Sequence, residues 1–148
     1  MKKLILLLLL FVALVAKAED SDKGIRFFKG SFAEALVEAN KQNKPLFVDF
    51  YAVWCVPCKH MAKEVFTQEE VGAYFNAHFI SLQVDAEKPG NIEIAKQYKV
   101  EAYPTVAFIA PDGKALAVNV GAMNREELLE TAKIVAGESI SFEQLYDG

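Results

Sequence analysis

The chain has 148 residues, 53% of them hydrophobic and 24% charged, which suits one domain with a real core and excludes a disordered chain or two domains of ordinary size. Its formal charge of −4 comes with no basic run or stripe, so nucleic acid is not an expected partner.

Taken in chain order, the N-terminus is a separate object. Lys2 and Lys3 precede an unbroken apolar run from Leu4 to Ala16, and Ala16-Lys17-Ala18 sets small residues two apart. This three-part pattern predicts a signal peptide over residues 1–18, cleaved after Ala18. An uncleaved anchor is the alternative, but such a run would cover only about 20 Å of the ~30 Å hydrocarbon core. No cysteine lies near the cleavage point to carry a lipid. Cleavage would remove Lys2, Lys3 and Lys17 and no acid, moving the charge from −4 to −7. The mature chain would then begin at Glu19, in the periplasm or outside the cell.

Ile25-Arg26-Phe27-Phe28 is predicted as a short first strand. Ser31-x-x-Glu34 is a capping box, and Phe32, Ala35, Leu36 and Ala39 continue as one helical face to about Lys41. Asn43-Lys44-Pro45 ends it. The nearly all-apolar Leu46–Ala52 reads as a central strand buried on both sides. Helix is expected from about Cys55 to Val65. Thr67-x-x-Glu70, a second capping box, opens another helical stretch with Val71, Tyr74 and Phe75 on one face.

Phe79–Val84 is the next strand, Asp85–Asn91 a turn-rich connection, and Ile92–Tyr98 a short helix. Thr105–Ala110 and Ala115–Val120 form an antiparallel pair around the tight turn Pro111-Asp112-Gly113-Lys114. Asn124-x-x-Glu127 caps a last helix with Leu128, Leu129, Ala132 and Val135 inward, closed by Gly137. The order β-α-β-α-β-α-β-β-α implies parallel strands with crossover helices first, made mixed by the last hairpin. Residues 138–148 are a tail, in which Ser141-x-x-Gln144 resembles one more cap that the sequence leaves unfinished.

The chemistry is concentrated in Cys55-Val56-Pro57-Cys58, which holds both cysteines. A bridge across so short a loop adds little stability, so a structural staple is a weak explanation. A zinc site needs about four ligands, and His60 and His78 do not complete a familiar spacing. Haem attachment would want His at position 59, which is Lys59. Redox chemistry remains, with neither metal nor cofactor expected.

The stretch Val48-Asp49-Phe50-Tyr51-Ala52-Val53-Trp54-Cys55-Val56-Pro57-Cys58-Lys59 resembles the active-site segment of the thioredoxin family. Tyr103-Pro104-Thr105 is similar to that family's cis-proline loop, Val120-Gly121-Ala122 to its glycine before the last helix, and Asp112-Gly113 to its hairpin turn. The resemblance covers about Pro45 to Val135. It implies an α/β thioredoxin-like fold, a central mixed β-sheet flanked by helices, occupying 19–137. Cys-Lys-x-Met-x-x-x-Val-Phe, then Thr-x-x-x-Val, further resembles the periplasmic C-terminal domain of membrane thiol reductases and their small exported relatives. That likeness implies disulfide-bearing proteins as substrates and a membrane thiol reductase as electron donor. A monomer is expected.

At the start of a helix, unpaired N–H groups and the helix dipole favour the thiolate of Cys55, so its pKa should fall below the ordinary thiol value. Cys58, one turn on, would resolve the mixed disulfide. Pro57 fits the first turn. Asp49 is either a structural carboxylate bonded to backbone or the proton acceptor for Cys58; the resemblance favours the second. Trp54 either packs or shapes the substrate surface. With Val56, Pro57, Tyr103 and Pro104 it makes up the expected substrate-binding set. Tyr103-Pro104 would be cis by resemblance, leaving the Tyr103 backbone for an extended substrate.

Two departures stand out. Ser81 replaces a buried lysine that faces the aspartate in thioredoxin, so the pKa of Asp49 should rise. Val56 replaces a glycine, and neither Val56 nor Pro57 gives the thiolate a charge partner, which favours a reductase over an oxidant. Lys59 and His60 are expected to be solvated, His78 to end a helix, and Met61 to belong to the core. The rival readings are a reductant dedicated to cytochrome c maturation and a non-catalytic binding or chaperone module.

Overall fold

In the computed structural model, residues 23–138 are described. The expected signal peptide, the expected start at Glu19 and the Ser141-x-x-Gln144 pattern lie outside these residues.

The first helix, α1 (Phe32–Gln42), begins as the capping box requires. The Glu34 N–H donates to Ser31 Oγ at 3.2 Å, and the Ser31 N–H donates to Glu34 Oε2 at 2.7 Å. It ends where Asn43 adopts a left-handed φ of 51°. Pro45 follows, and β1 (Leu46–Tyr51) then runs through the centre of the sheet. Next come α2 (Val56–His60), a π-helical turn over Met61–Val65, α3 (Glu69–His78), β2 (Ile80–Asp85) and α4 (Ile92–Gln97). The chain closes with β3 (Thr105–Ile109), β4 (Ala115–Val120) and α5 (Arg125–Val135).

The sheet order is β2-β1-β3-β4. β1 and β2 are parallel, with Asp49 level with Gln83. β3 is antiparallel to both β1 and β4. The sheet therefore becomes mixed at β3, earlier than the last hairpin from which the sequence reading derived it. The cause is the path of the chain. β2 ends and β3 begins at the same end of the sheet, since Asp85 is level with Tyr51 and Thr105 with the adjacent Phe50. The short α4 bridges that end without carrying the chain back along the sheet.

Two other local expectations shift. The first strand shrinks to one parallel bridge between Phe27 and Ser81, because Lys29 and Gly30 lead directly to the α1 cap. The second capping box does not form: α3 starts after Gln68, and Thr67 Oγ1 donates back to the Lys63 carbonyl at 2.6 Å. A hydroxyl near a helix end can satisfy the turn behind it as readily as the one ahead. The helix expected from Cys55 to Val65 is continuous, but its second half is π-helical, with the Phe66 N–H reaching the Met61 carbonyl at 2.9 Å.

Alternation along β1 divides the core. Leu46, Val48 and Phe50 pack with Ala35, Ala39 and Tyr98 under α1 and α4. Phe47 faces the other way, into Met61, Val65, Phe75, Phe108 and Leu128. Met61 is core, as its position in the helix suggested. Phe47, Phe75 and Phe108 have ring centroids 4.7 to 6.2 Å apart, and burial of rings in such tilted and edge-on contacts is among the largest contributions a core can hold.

Candidate active site

β1 delivers the chain to the site. After Tyr51 it turns, and the Cys55 N–H donates to the Ala52 carbonyl at 3.1 Å. Cys55 is the N-cap of α2 and Cys58 lies inside the helix. The two are joined by a disulfide with a Cα–Cα separation of 5.3 Å. The Cys58 N–H donates to Cys55 Sγ at 3.2 Å, so an unpaired helix-start amide already points at the first sulfur. Pro57 sits in the first turn, where its missing N–H costs no helical bond.

Exposure does not separate the cysteines in this oxidised state: Cys55 is 2% exposed and Cys58 4%. Their places in the helix, at its start and one turn on, therefore carry the difference between them. The bridged pair packs with Ala52, Tyr51 and Tyr103. Around it stands an apolar rim of exposed Val53, Trp54 and Val56. Lys59 and His60 are solvent-facing, and His78 closes α3.

Trp54 is held in place rather than packed. Its Nε1–H donates to Glu87 Oε2 at 2.9 Å, and its ring meets Tyr103 edge-on at 6.0 Å. Tyr103-Pro104 is cis. The Pro104 carbonyl accepts from the Gly121 N–H at 2.8 Å, which brings the Val120-Gly121-Ala122 loop beside it. Tyr103 has its pKa raised by burial first, then by Glu87 and Asp85; Tyr51 is raised by burial, then by Asp85 and Asp49. The structure thus gathers Trp54, Cys55, Cys58 and Tyr103 at one end of the sheet, with Val56 and Pro57 on the helix start and Pro104 in the adjoining loop.

Asp49 lies on β1, three residues before Ala52, and is 1% exposed. Desolvation pushes its pKa from the ordinary 3.8 up to about 6, moderated by the Gln83 amide. Gln83 Nε2 donates to Asp49 Oδ2 at 3.1 Å, while Oδ1 has no partner among the described residues. The residue level with Asp49 is therefore Gln83. Ser81, to which the sequence comparison drew attention, is level with Phe47, buried and with its own Oγ unpaired. Sequence reasoning missed both Gln83 and Glu87. For Gln83 a signal was present: within the strand it lies two residues after Ser81, on the same face.

Among the described residues, no helix is long and apolar enough to cross a membrane, and no group of three or more His, Cys, Asp or Glu could hold a metal ion.

Comparison with known proteins bears on the family and the fold. The family model described as a thioredoxin-like domain matches residues 32–136. The thiol:disulfide interchange protein DsbD of Vibrio cholerae is 39% identical over 82 residues, which are 54% of this chain and 14% of that protein. The chloroplastic thioredoxin-like protein CITRX of Arabidopsis thaliana is 38% identical over 82 residues, 54% of this chain and 42% of that one. The chain thus spans well under two thirds of these relatives. Among solved structures, a disulphide-isomerase candidate from Bacteroides thetaiotaomicron superposes with a TM-score of 0.70 at 43% identity, covering 82% of this chain and 99% of that one. The reduced DsbD C-terminal domain of Neisseria meningitidis superposes with a TM-score of 0.59 at 30% identity, covering 69% and 91%.

Proposed function

The chain belongs to the thioredoxin-like family of disulfide oxidoreductases, and from that premise we propose that it is an exported reductase of protein disulfides. The observation that carries this is the Cys55–Cys58 bridge at the start of α2, with the Cys58 amide directed at Cys55 Sγ. That amide stabilises a thiolate on Cys55 more than a thiol.

In the reduced enzyme, Cys55 Sγ⁻ attacks a substrate disulfide. A Cys55–substrate bond forms, the substrate S–S bond breaks, and the first substrate sulfur leaves as thiolate and takes a proton from water. Cys58 then gives its proton to Asp49 and attacks Cys55 Sγ. The internal bridge forms, the second substrate sulfur leaves, and the substrate has gained two electrons that the two cysteines have lost. Val53, Trp54 and Val56 form the apolar surface on which an extended substrate lies, beside Pro57 and the backbone of Tyr103 and Pro104. The leader at 1–18 directs the protein to the periplasm or beyond. The likeness to DsbD supports a membrane thiol reductase as the source of electrons.

Reduction rather than oxidation follows from Val56 and Pro57, which bring no cation to the thiolate. The reduction potential of the Cys55–Cys58 couple tests this. A value near the thioredoxin end of the family range, about −270 mV, is expected; a value near the oxidant end, about −120 mV, would overturn it.

A further inference from the structure

Asp49 is enclosed on most sides by groups that can do nothing for its charge. Val106 of β3 is level with it on one flank, Phe47 lies two residues back on its own face, and the neighbouring Ser81 hydroxyl is not bonded to it. The exception is Gln83, level with it on the other flank. Gln83 is a solvent-exposed residue whose amide nevertheless reaches the buried Oδ2. Its side chain therefore stands between water and the carboxylate, and Oδ1 is left free. The titratable groups on the same strand faces are Tyr51 on β1 and Asp85 on β2; β3 and β4 bring only Val106, Phe108, Ala117 and Asn119 there. No cation answers the carboxylate from these strands, and the helical segments over this face turn buried Met61, Val65 and Leu128 inward while their Lys59, His60, Lys63 and Glu64 are exposed.

We propose that Gln83 is a positioning residue for the redox site: its amide holds Asp49 in both protonation states and keeps Oδ1 as the atom that takes and returns the proton. This rests on the reading of Asp49 as proton carrier. The chemistry is particular to an amide. Nε2–H donates strongly to Oδ2 when Asp49 is charged, and goes on donating, more weakly, to the same oxygen, then the acid's carbonyl, when Oδ1 carries the proton. A lysine would bring a full charge that favours the ionised form far more, and an apolar side chain would hold neither. With Gln83 in place, a proton from Cys58 arriving at Oδ1 costs Asp49 no partner. The transfer conserves charge locally: Cys58 S–H becomes S⁻ as Asp49 becomes the neutral acid, and Asp49 returns its proton to water once the Cys55–Cys58 bond has formed.

Because Gln83 is exposed, its substitution leaves the core intact. The experiment compares the full mature chain with Gln83→Leu, Gln83→Lys and Asp49→Asn. One readout is the Asp49 titration midpoint by carboxyl carbon NMR. The other is the pH profile for decay of the Cys55 mixed disulfide, followed by stopped flow. Gln83→Leu should raise the midpoint by about one unit and Gln83→Lys should lower it by at least as much. The decay profile should move with the midpoint in each variant. Decay in the double variant Asp49→Asn, Gln83→Leu should match that of Asp49→Asn alone. Midpoint and profile unmoved in both Gln83 variants would overturn the proposal. If Asp49→Asn decays at the parental rate, the proton-carrier reading fails instead, while the NMR midpoint still reports whether Gln83 holds the carboxylate.

Discussion

Phe47 and Asp49 are two residues apart on one strand and point to the same side of the sheet, yet they belong to different regimes. Phe47 meets Phe66, Phe75 and Phe108, with ring centroids 4.7 to 5.9 Å away. Asp49 is as deeply buried but has one hydrogen bond and a free oxygen. Phe47 thus contributes dry contact, whereas Asp49 leaves a buried polar atom unsatisfied. The buried apolar residues on either side of Asp49 in β1 supply a margin that tolerates one unfavourable group among them.

The sharpest separation should come from the cysteines. Cys55→Ser should abolish insulin-disulfide reduction, whereas Cys58→Ser should accumulate mixed disulfides visible by mass spectrometry. Adducts building up in Cys55→Ser, with Cys58→Ser turning over normally, would reverse the assigned roles. Neither change should cost much stability, since the bridge closes a very short loop.

Phe47→Ala is the opposite case. Removing a fully buried ring from the aromatic cluster should cost about 3–5 kcal/mol in urea unfolding. The reduction potential of the remaining folded protein should stay within a few millivolts of the parent, about 0.2 kcal/mol on the two-electron scale. A large shift in potential would show that the two ends of β1 are coupled.

Asp49→Asn should stabilise. The folded-state pKa of about 6 lies above the ordinary 3.8, so the folded protein holds this proton more tightly than the unfolded chain does. That contribution is complete below the unfolded value and is lost as pH rises through the folded one. The Asn variant lacks the loss. It should gain on the order of 2 kcal/mol at pH ~8 and nothing near pH ~4. A loss of stability at the higher pH would make Asp49 a structural anchor.

The smallest effect belongs to a site remote from both regions. Asn124 Oδ1 accepts from the Glu127 N–H at 3.0 Å, and Asn124→Ala should lower thermal stability by about 1 kcal/mol without altering reduction kinetics.

Much of this was legible in the sequence because its signals are local. The capping boxes at Ser31 and Asn124, the buried strand from Leu46 and the turn at Asp112-Gly113 depend on residues within a few positions of one another, and they form where the chain places them. Thr67-x-x-Glu70 is the instructive failure. It has the same pattern, but Thr67 satisfies the turn behind it.

Sequence alone determined that the two cysteines share one helix start, that an acid lies in an apolar strand six residues before the first, and that strands alternate with helices up to a final hairpin. Those are facts of spacing, and the helical and extended repeats convert spacing into geometry without outside help. Strand order, the antiparallel turn of β3 and the partnership of Gln83 with Asp49 came only with the tertiary structure. Residues 34 positions apart become neighbours through the register of β1 against β2, and register is set by packing the whole face of the sheet, which no short stretch of sequence contains.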